Sequence, residues 1–235
     1  MLQMDDHDAI RLARDLRLQE FTTGRTDRVP EPVVEPVWTG LRVIAAAQSD
    51  AGVLLHEGEE LIGQEHLTQA LARAVAATAD GVILDAYITK QISGEDTGLR
   101  PGIMPMPSLS KLLTRSLVGG RVLDRAQQAE DDKAAREAQR FEEDERVNLV
   151  AVDLLWVDGQ WLLDVPLLER KRHLAAVLPG DPIVRASMYV RPPIETWIGS
   201  WRAMGFRGLA FKGENSRYRP GEVAPDWITM PMPRR

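Results

Sequence analysis

The chain has 235 residues, enough for one large domain or two small ones and for a buried core. With 44% apolar and 27% charged residues it reads as a globular protein, which excludes collagen-like, wholly disordered and coiled-coil architectures. The net charge of −6 is uneven: residues 185–235 carry nine Lys or Arg against four Asp or Glu, which leaves room for a basic patch for a polyanion there, with scattered surface arginine as the alternative reading. There is no cysteine, which removes disulfides, thiolate zinc sites and a cysteine nucleophile together. Apolar runs fall far short of the roughly 20 residues of a membrane span, and the acidic N-terminus has no signal-peptide core, so a cytoplasmic protein without a membrane partner is expected. Lysine chemistry must choose among Lys90, Lys111, Lys133, Lys171 and Lys212.

In chain order, residues 5–20 space Ile10, Leu12, Leu16 and Leu18 as a short amphipathic helix, and 22–36 reads as a linker or extended lead-in rich in proline. Strands are predicted at 41–47 and 52–55 around a hairpin turn at 49–52. Leu61, Ile62, Leu67, Leu71 and Val75 predict a helix over 59–79, stopped by Asp80-Gly81 before a strand at 82–88. Residues 93–107 are irregular by their Gly and Pro content, and 109–118 resumes helix. The segment 124–146 holds nine acidic and five basic residues and reads as an exposed helix or a loop, with an acidic tether for a protein partner as a third reading. A strand at 149–156, a helix at 167–178, a strand at 183–189, a helix at 194–204, a strand at 208–212 and a Gly/Pro-rich loop complete the chain. Strands interleaved with helices and hairpins predict an α+β domain with antiparallel sheets. Neither GxGxxG nor GxxxxGK[ST] occurs, and the four histidines include no pair at metal-ligand spacing.

Four stretches, in order, resemble the adenylation domain of ATP-dependent DNA ligases. Residues 150–159 (VAVDLLWVDG) with 163–171 (LDVPLLERK) are similar to the family's "FDLLxLDG" strand and "LPLLERR" helix. Residues 208–212 (GLAFK), 216–221 (SRYRPG) and 225–228 (PDWI) are similar to "EGxVxK", "SxYxPG" and "DWxKxK". Upstream, 35–42 (EPVWTGLR) stands where the family carries "EPKxDGxR", and 82–87 (VILDAY) where it carries "xxLDGE". The resemblance runs from about residue 30 to 231. It implies a ligase-type nucleotidyltransferase (ATP-grasp-like) domain of two packed antiparallel sheets flanked by helices, preceded by a helix and linker over 1–29 and without the OB-fold that ligases add.

The resemblance also implies ATP and Mg²⁺ as cofactors and a lysine that attacks the α-phosphate, forming a lysyl-adenylate and releasing pyrophosphate. Val37 matches that lysine, and an isopropyl group has no lone pair to attack with. Thr39 matches the aspartate of the same motif, Tyr87 the acid of the "DGE" strand and Arg207 a glutamate suited to a metal. Val152 matches the aromatic that stacks on adenine, and Thr229 and Pro231 match the late lysines. What persists is Glu35, Trp38, Gly40, Arg42, Asp85, Asp153 and Lys212. The expected nucleotide-binding set is therefore Trp38, Arg42, Asp85, Val152 and Lys212, with Arg217 and Arg219 for DNA and no metal ligand. Three functions follow: a catalytically inactive module that binds a nucleotide or DNA in repair or replication, which the lost residues favour; a structural or interaction protein with a closed cleft; and an active ligase working through unusual residues.

Overall fold

Strands β3 (Leu41–Gln48) and β6 (Gly81–Thr89) bury apolar side chains on both faces, and the fold grows outward from their antiparallel pairing. They lie in a computed structural model that describes residues 8–90 and 147–233, all within one unit of the chain. The larger sheet has seven strands. Its order is β5 (Glu59–Glu60), β4 (Ala51–His56), β3, β6, β7 (Asn148–Val157) and β8 (Gln160–Trp161), with β9 (Val184–Ala186) alongside β7. The smaller sheet runs β1 (Glu20–Thr22), β11 (Val223–Pro231), β10 (Gly208–Gly213) and β2 (Pro32–Pro36).

Because side chains alternate along a strand, each face of the larger sheet acquires its own partners. Val43, Ala45, Val82, Leu84 and Ala86 pack on Leu67, Leu71 and Val75 of α2 (Glu65–Ala76) and on Leu174 and Val177 of α3 (Leu167–Val177). The opposite set, Ile44, Ala46, Ile83 and Leu155, meets Val33, Ala224 and Trp227 of the smaller sheet and Ala9 and Ala13 of α1 (Ala9–Arg14). A third cluster joins Val34, Leu209, Phe211 and Ile228 to Trp201 of α4 (Glu195–Ala203) and to Trp38. Two layers of sheet with helices outside is the architecture the resemblance implies. It departs from all-antiparallel pairing at two places, where β1 and β9 join their neighbours parallel.

Gly40 fixes the entry into β3. Its φ of +123° lies in glycine's region, and a Cβ there would stand 2.1 Å from the Ile88 carbonyl oxygen. The glycine that survives from the ligase motif thus has a packing reason to survive.

Three expectations change. The helix foreseen over 59–79 starts at Glu65, since residues 59–60 turn back through Glu57 and Gly58, both at positive φ, to pair with β4. The first helix is six residues long, and after it the chain becomes extended. The final stretch is a nine-residue strand, β11, where proline and glycine content suggested only a loop. The expectations for 93–107, 109–118 and 124–146, with Lys111 and Lys133, lie outside the described residues. Among the described residues no helix is long and apolar enough to cross a membrane.

Candidate functional site

Strand alternation carries the charged residues of the motifs into the space between the sheets. Arg42 and Asp85 share the inner face of β3 and β6 with Ile44 and Ile83, and Asp153 on β7 is the register partner of Asp85. From the smaller sheet, β2 and β10 contribute Glu35 and Lys212. Helix α3 adds two more cations, because Arg170 and Lys171 lie on the same helical face as Leu167 and Leu174 and are buried with them.

The result is a buried network of three carboxylates and four cations. Arg42 clamps Asp85, with Nε donating to Oδ1 at 2.9 Å and Nη2 to Oδ2. Arg170 clamps Asp153 in the same way, at 2.9 and 2.8 Å, and its Nη1 donates to the carbonyls of Val165 and Ser216. Lys171 Nζ stands 2.6 Å from Glu35 Oε1 and donates to the Val152 carbonyl at 2.7 Å. Lys212 Nζ stands 3.3 Å from the same Glu35 oxygen and 4.3 Å from the centre of the Trp227 ring. Glu35 Oε1 accepts no well-directed hydrogen bond, so its link to the two ammonium groups is one of charge. Tyr218 closes the network by donating to Asp85 Oδ2 at 3.1 Å.

The protonation behaviour follows from burial and these partners. Burial disfavours the Arg42 charge, but Asp85 more than offsets it and the group titrates above its ordinary range. Burial would raise Asp153; Arg170, helped by Lys212 and Lys171, instead holds it below the ordinary carboxylate range. Lys212 is pushed down by burial and by Lys171, which Glu35 does not fully counter. Tyr87, at the position of the family's acid, is pushed up to about 12 by burial and stays a neutral phenol at pH 7.

Of the expected nucleotide-binding residues, Arg42, Asp85 and Lys212 meet in this network, and Val152 enters it through its carbonyl. Trp38 does not. It is 3% exposed, packs edge-on against Phe206 at 4.9 Å and donates from Nε1 to Ser187 Oγ at 2.8 Å. Val37 prolongs the β2–β10 ladder, its amide donating to the Gly208 carbonyl, and its side chain is half-buried. Thr39 and Arg207 are exposed. Arg217 and Arg219 are exposed too, on alternate positions to the buried Ser216 and Tyr218, so they do not join Lys212, which is 1% exposed, in one basic patch. Lys171, one of the five candidate lysines, also enters the network, as do Arg170, Gln19 and Tyr218, to which sequence reasoning assigned no role.

A bound nucleotide needs a cavity with polar groups turned into it. Here Glu35, Asp85, Asp153 and Lys212 are at most 2% exposed, and the cations beside them already hold carboxylates and carbonyls. Among the described residues no three His, Asp or Glu are grouped to hold a metal ion. As arranged, these side chains do not fit a nucleotide with its metal.

Comparisons of sequence and fold set this two-sheet architecture beside the ATP-dependent DNA ligases. The profile of the ATP dependent DNA ligase domain matches residues 117–230. A probable DNA ligase of Streptomyces coelicolor is 34% identical over 86 residues, which is 35% of this chain and 17% of the relative. A DNA ligase of Haloferax volcanii is 28% identical over 200 residues, 83% of this chain and 30% of the relative. The ligase domain of M. tuberculosis LigD superposes with a TM-score of 0.61 at 21% identity, covering 92% of this chain and 59% of that one. The ATP-dependent DNA ligase of bacteriophage T7, solved in complex with ATP, gives 0.53 at 15% identity, covering 94% and 69%. The chain has the fold of a DNA-ligase-type nucleotidyltransferase domain and is similar in sequence to DNA ligases, and it spans less than a third of the length of the curated relatives it matches.

Proposed function

We propose that this ligase-type domain does not transfer a nucleotide and is retained as a non-catalytic module of DNA repair or replication, with its nucleotide cleft closed. The observation that carries the reading is the buried network itself: Arg42, Lys171 and Lys212 spend their charge on Asp85 and Glu35, at the place where a phosphate would need them. Val37 supports it, since a ligase needs an amine there to attack the α-phosphate while pyrophosphate leaves. Lys212 does not replace that amine, because its nitrogen is enclosed between Glu35 and Trp227. Lys90 is exposed at the end of β6, outside the network.

Incubation with labelled ATP and Mg²⁺, followed by denaturation and mass analysis, is expected to leave no adenylate on the chain, and saturating ATP is expected to leave the melting temperature unchanged. A stoichiometric adenylate on Lys90, Lys171 or Lys212 overturns the reading. So does a rise in melting temperature with ATP.

A second reading, contact with DNA, is favoured by the exposure of Arg217 and Arg219, of which Arg219 stands 3.8 Å from the exposed Glu222. Fluorescence anisotropy on duplex DNA at two salt concentrations tests it. Binding that weakens with salt and is lost in Arg217→Ala/Arg219→Ala supports it. Equal behaviour of variant and parent removes these residues from the interface.

A further inference from the structure

One segment of the cleft wall belongs to neither motif nor helix. After α1 the chain crosses the edge of the inter-sheet space as residues 15–22 and ends in β1, three residues long and paired parallel to β11 with a register slip between Phe21 and Thr22. It touches both sheets. The Gln19 carbonyl accepts from Arg42 Nη1 of β3 at 2.9 Å, the Gln19 amide donates to the Tyr218 hydroxyl at 3.0 Å, and Gln19 Oε1 accepts from the Arg219 amide. The Phe21 ring lies 5.4 Å from Trp227, 5.2 Å from the Arg42 guanidinium and 5.6 Å from Lys212 Nζ. Phe21 and Trp227 thus both stack near the Lys212 ammonium, and Gln19, fully buried, lies over the Arg42–Asp85 pair.

We propose that residues 15–22 form an intramolecular strap that occludes the cleft through Gln19 and Phe21, and that its release uncovers Arg42, Lys212 and Trp227 while both sheets stay folded. The two sheets close their own ladders without it: β10 pairs with β2 and β11 over five residues each, and β3 pairs with β6 over eight. The strap adds a three-residue parallel pairing at the outer edge. It also carries a cost, since Gln19 Nε2 is buried with no hydrogen-bond partner. A short edge element with an unsatisfied amide belongs to the low-stability end of a fold, where opening precedes global unfolding. The inference rests on the closed cleft of the proposed function and says what closes it.

Lys212 reports the strap directly. Timed acylation of the full chain with an amine-reactive acetylating ester, followed by peptide mass mapping, compares Lys212 with exposed Lys90 and with Lys171, which is held from the side of α3. Gln19→Ala/Phe21→Ala is expected to raise the Lys212 rate at least about tenfold and to leave Lys90 and Lys171 unchanged. An unchanged Lys212 rate in a folded double variant overturns the strap. Hydrogen exchange on the unmutated chain gives a readout that needs no variant: amides of residues 16–22 are expected to exchange faster than those of β3 and β6. Exchange of all three together, through global unfolding only, overturns it as well. Acylation and exchange are independent of adenylate formation, so the strap and the loss of nucleotidyl transfer fail separately.

Discussion

Replacing Arg170 by methionine tests the buried network at its most enclosed pair. Arg170 and Asp153 have no exposed side-chain surface, and Arg170 supplies two bonds to the carboxylate and two to the carbonyls of Val165 and Ser216. Methionine fills much of the volume and offers no charge, which leaves Asp153 with the Leu154 amide at 2.9 Å and the more distant lysines. Removing one partner of a buried pair costs about 3–5 kcal/mol, a large share of the roughly 5–15 kcal/mol that holds a domain folded. With a urea slope of about 2 kcal/mol per molar, the unfolding midpoint is expected to drop by about 2 M at pH 7. The pH dependence has a definite sign. In the parent, Asp153 has its folded pKa below the unfolded value near 3.9, so its stabilisation is complete above that value and is lost as pH falls through the folded pKa. In the variant the unpaired carboxyl prefers its proton on folding, so the gap between parent and variant narrows as pH falls from 7 towards about 4. Asp153→Asn in the Arg170→Met background is expected to recover part of the loss, giving a positive coupling in the double-mutant cycle. A loss below about 1 kcal/mol at pH 7, or a gap that does not change with pH, refutes the view that this pair locks the sheets to α3.

Lys212→Met removes the surplus cation while Glu35 keeps Lys171, so chemical denaturation at pH 7 is expected to show stability equal to the parent or up to about 2 kcal/mol higher. Because Lys212 is depressed in the fold, its cost falls as pH rises towards the ordinary lysine range, and the parent should gain on the variant there. Gly40→Ala, forced to positive φ with its Cβ 2.1 Å from the Ile88 oxygen, is expected to lose about 3 kcal/mol in the same assay.

The sheets were legible where local chemistry agrees with the final environment. Val43 to Ala47 and Val82 to Leu84 are apolar on both faces, as a strand segment buried on both faces has to be unless a charge there is paired. The strand β11 was hidden by Pro225 and Pro231. Pro225 falls where the pairing with β1 skips from Ala224 to Ile228, so it gives up no ladder bond there, and Pro231 closes the strand opposite Gly208. In the site, Arg42, Asp85 and Lys212 could be found because motif position fixes them. Arg170 and Lys171 also left a trace, as two cations on the Leu167–Leu174 face of a helix. Tyr218 stands at the tyrosine of the SxYxPG run, but Gln19 left no trace, because their contact joins positions 199 residues apart and nothing around residue 19 points to the other.

The strand order β1-β11-β10-β2 sets a constraint on how the molecule comes into being. Half of the smaller sheet comes from residues before 37 and the other half from residues after 207, whereas β3 and β4 of the larger sheet form a hairpin and β6 joins β3 within the next 41 residues, after α2. During synthesis the larger sheet can begin to pair while β2 has no partner at all, and Val33, Val34 and Glu35 must wait for β10 to emerge. Such long-range closure is slow, and it leaves an apolar strand edge unsatisfied for most of the chain's elongation. Mutations that weaken β10 or β11 should therefore lower the yield of folded protein as well as its stability.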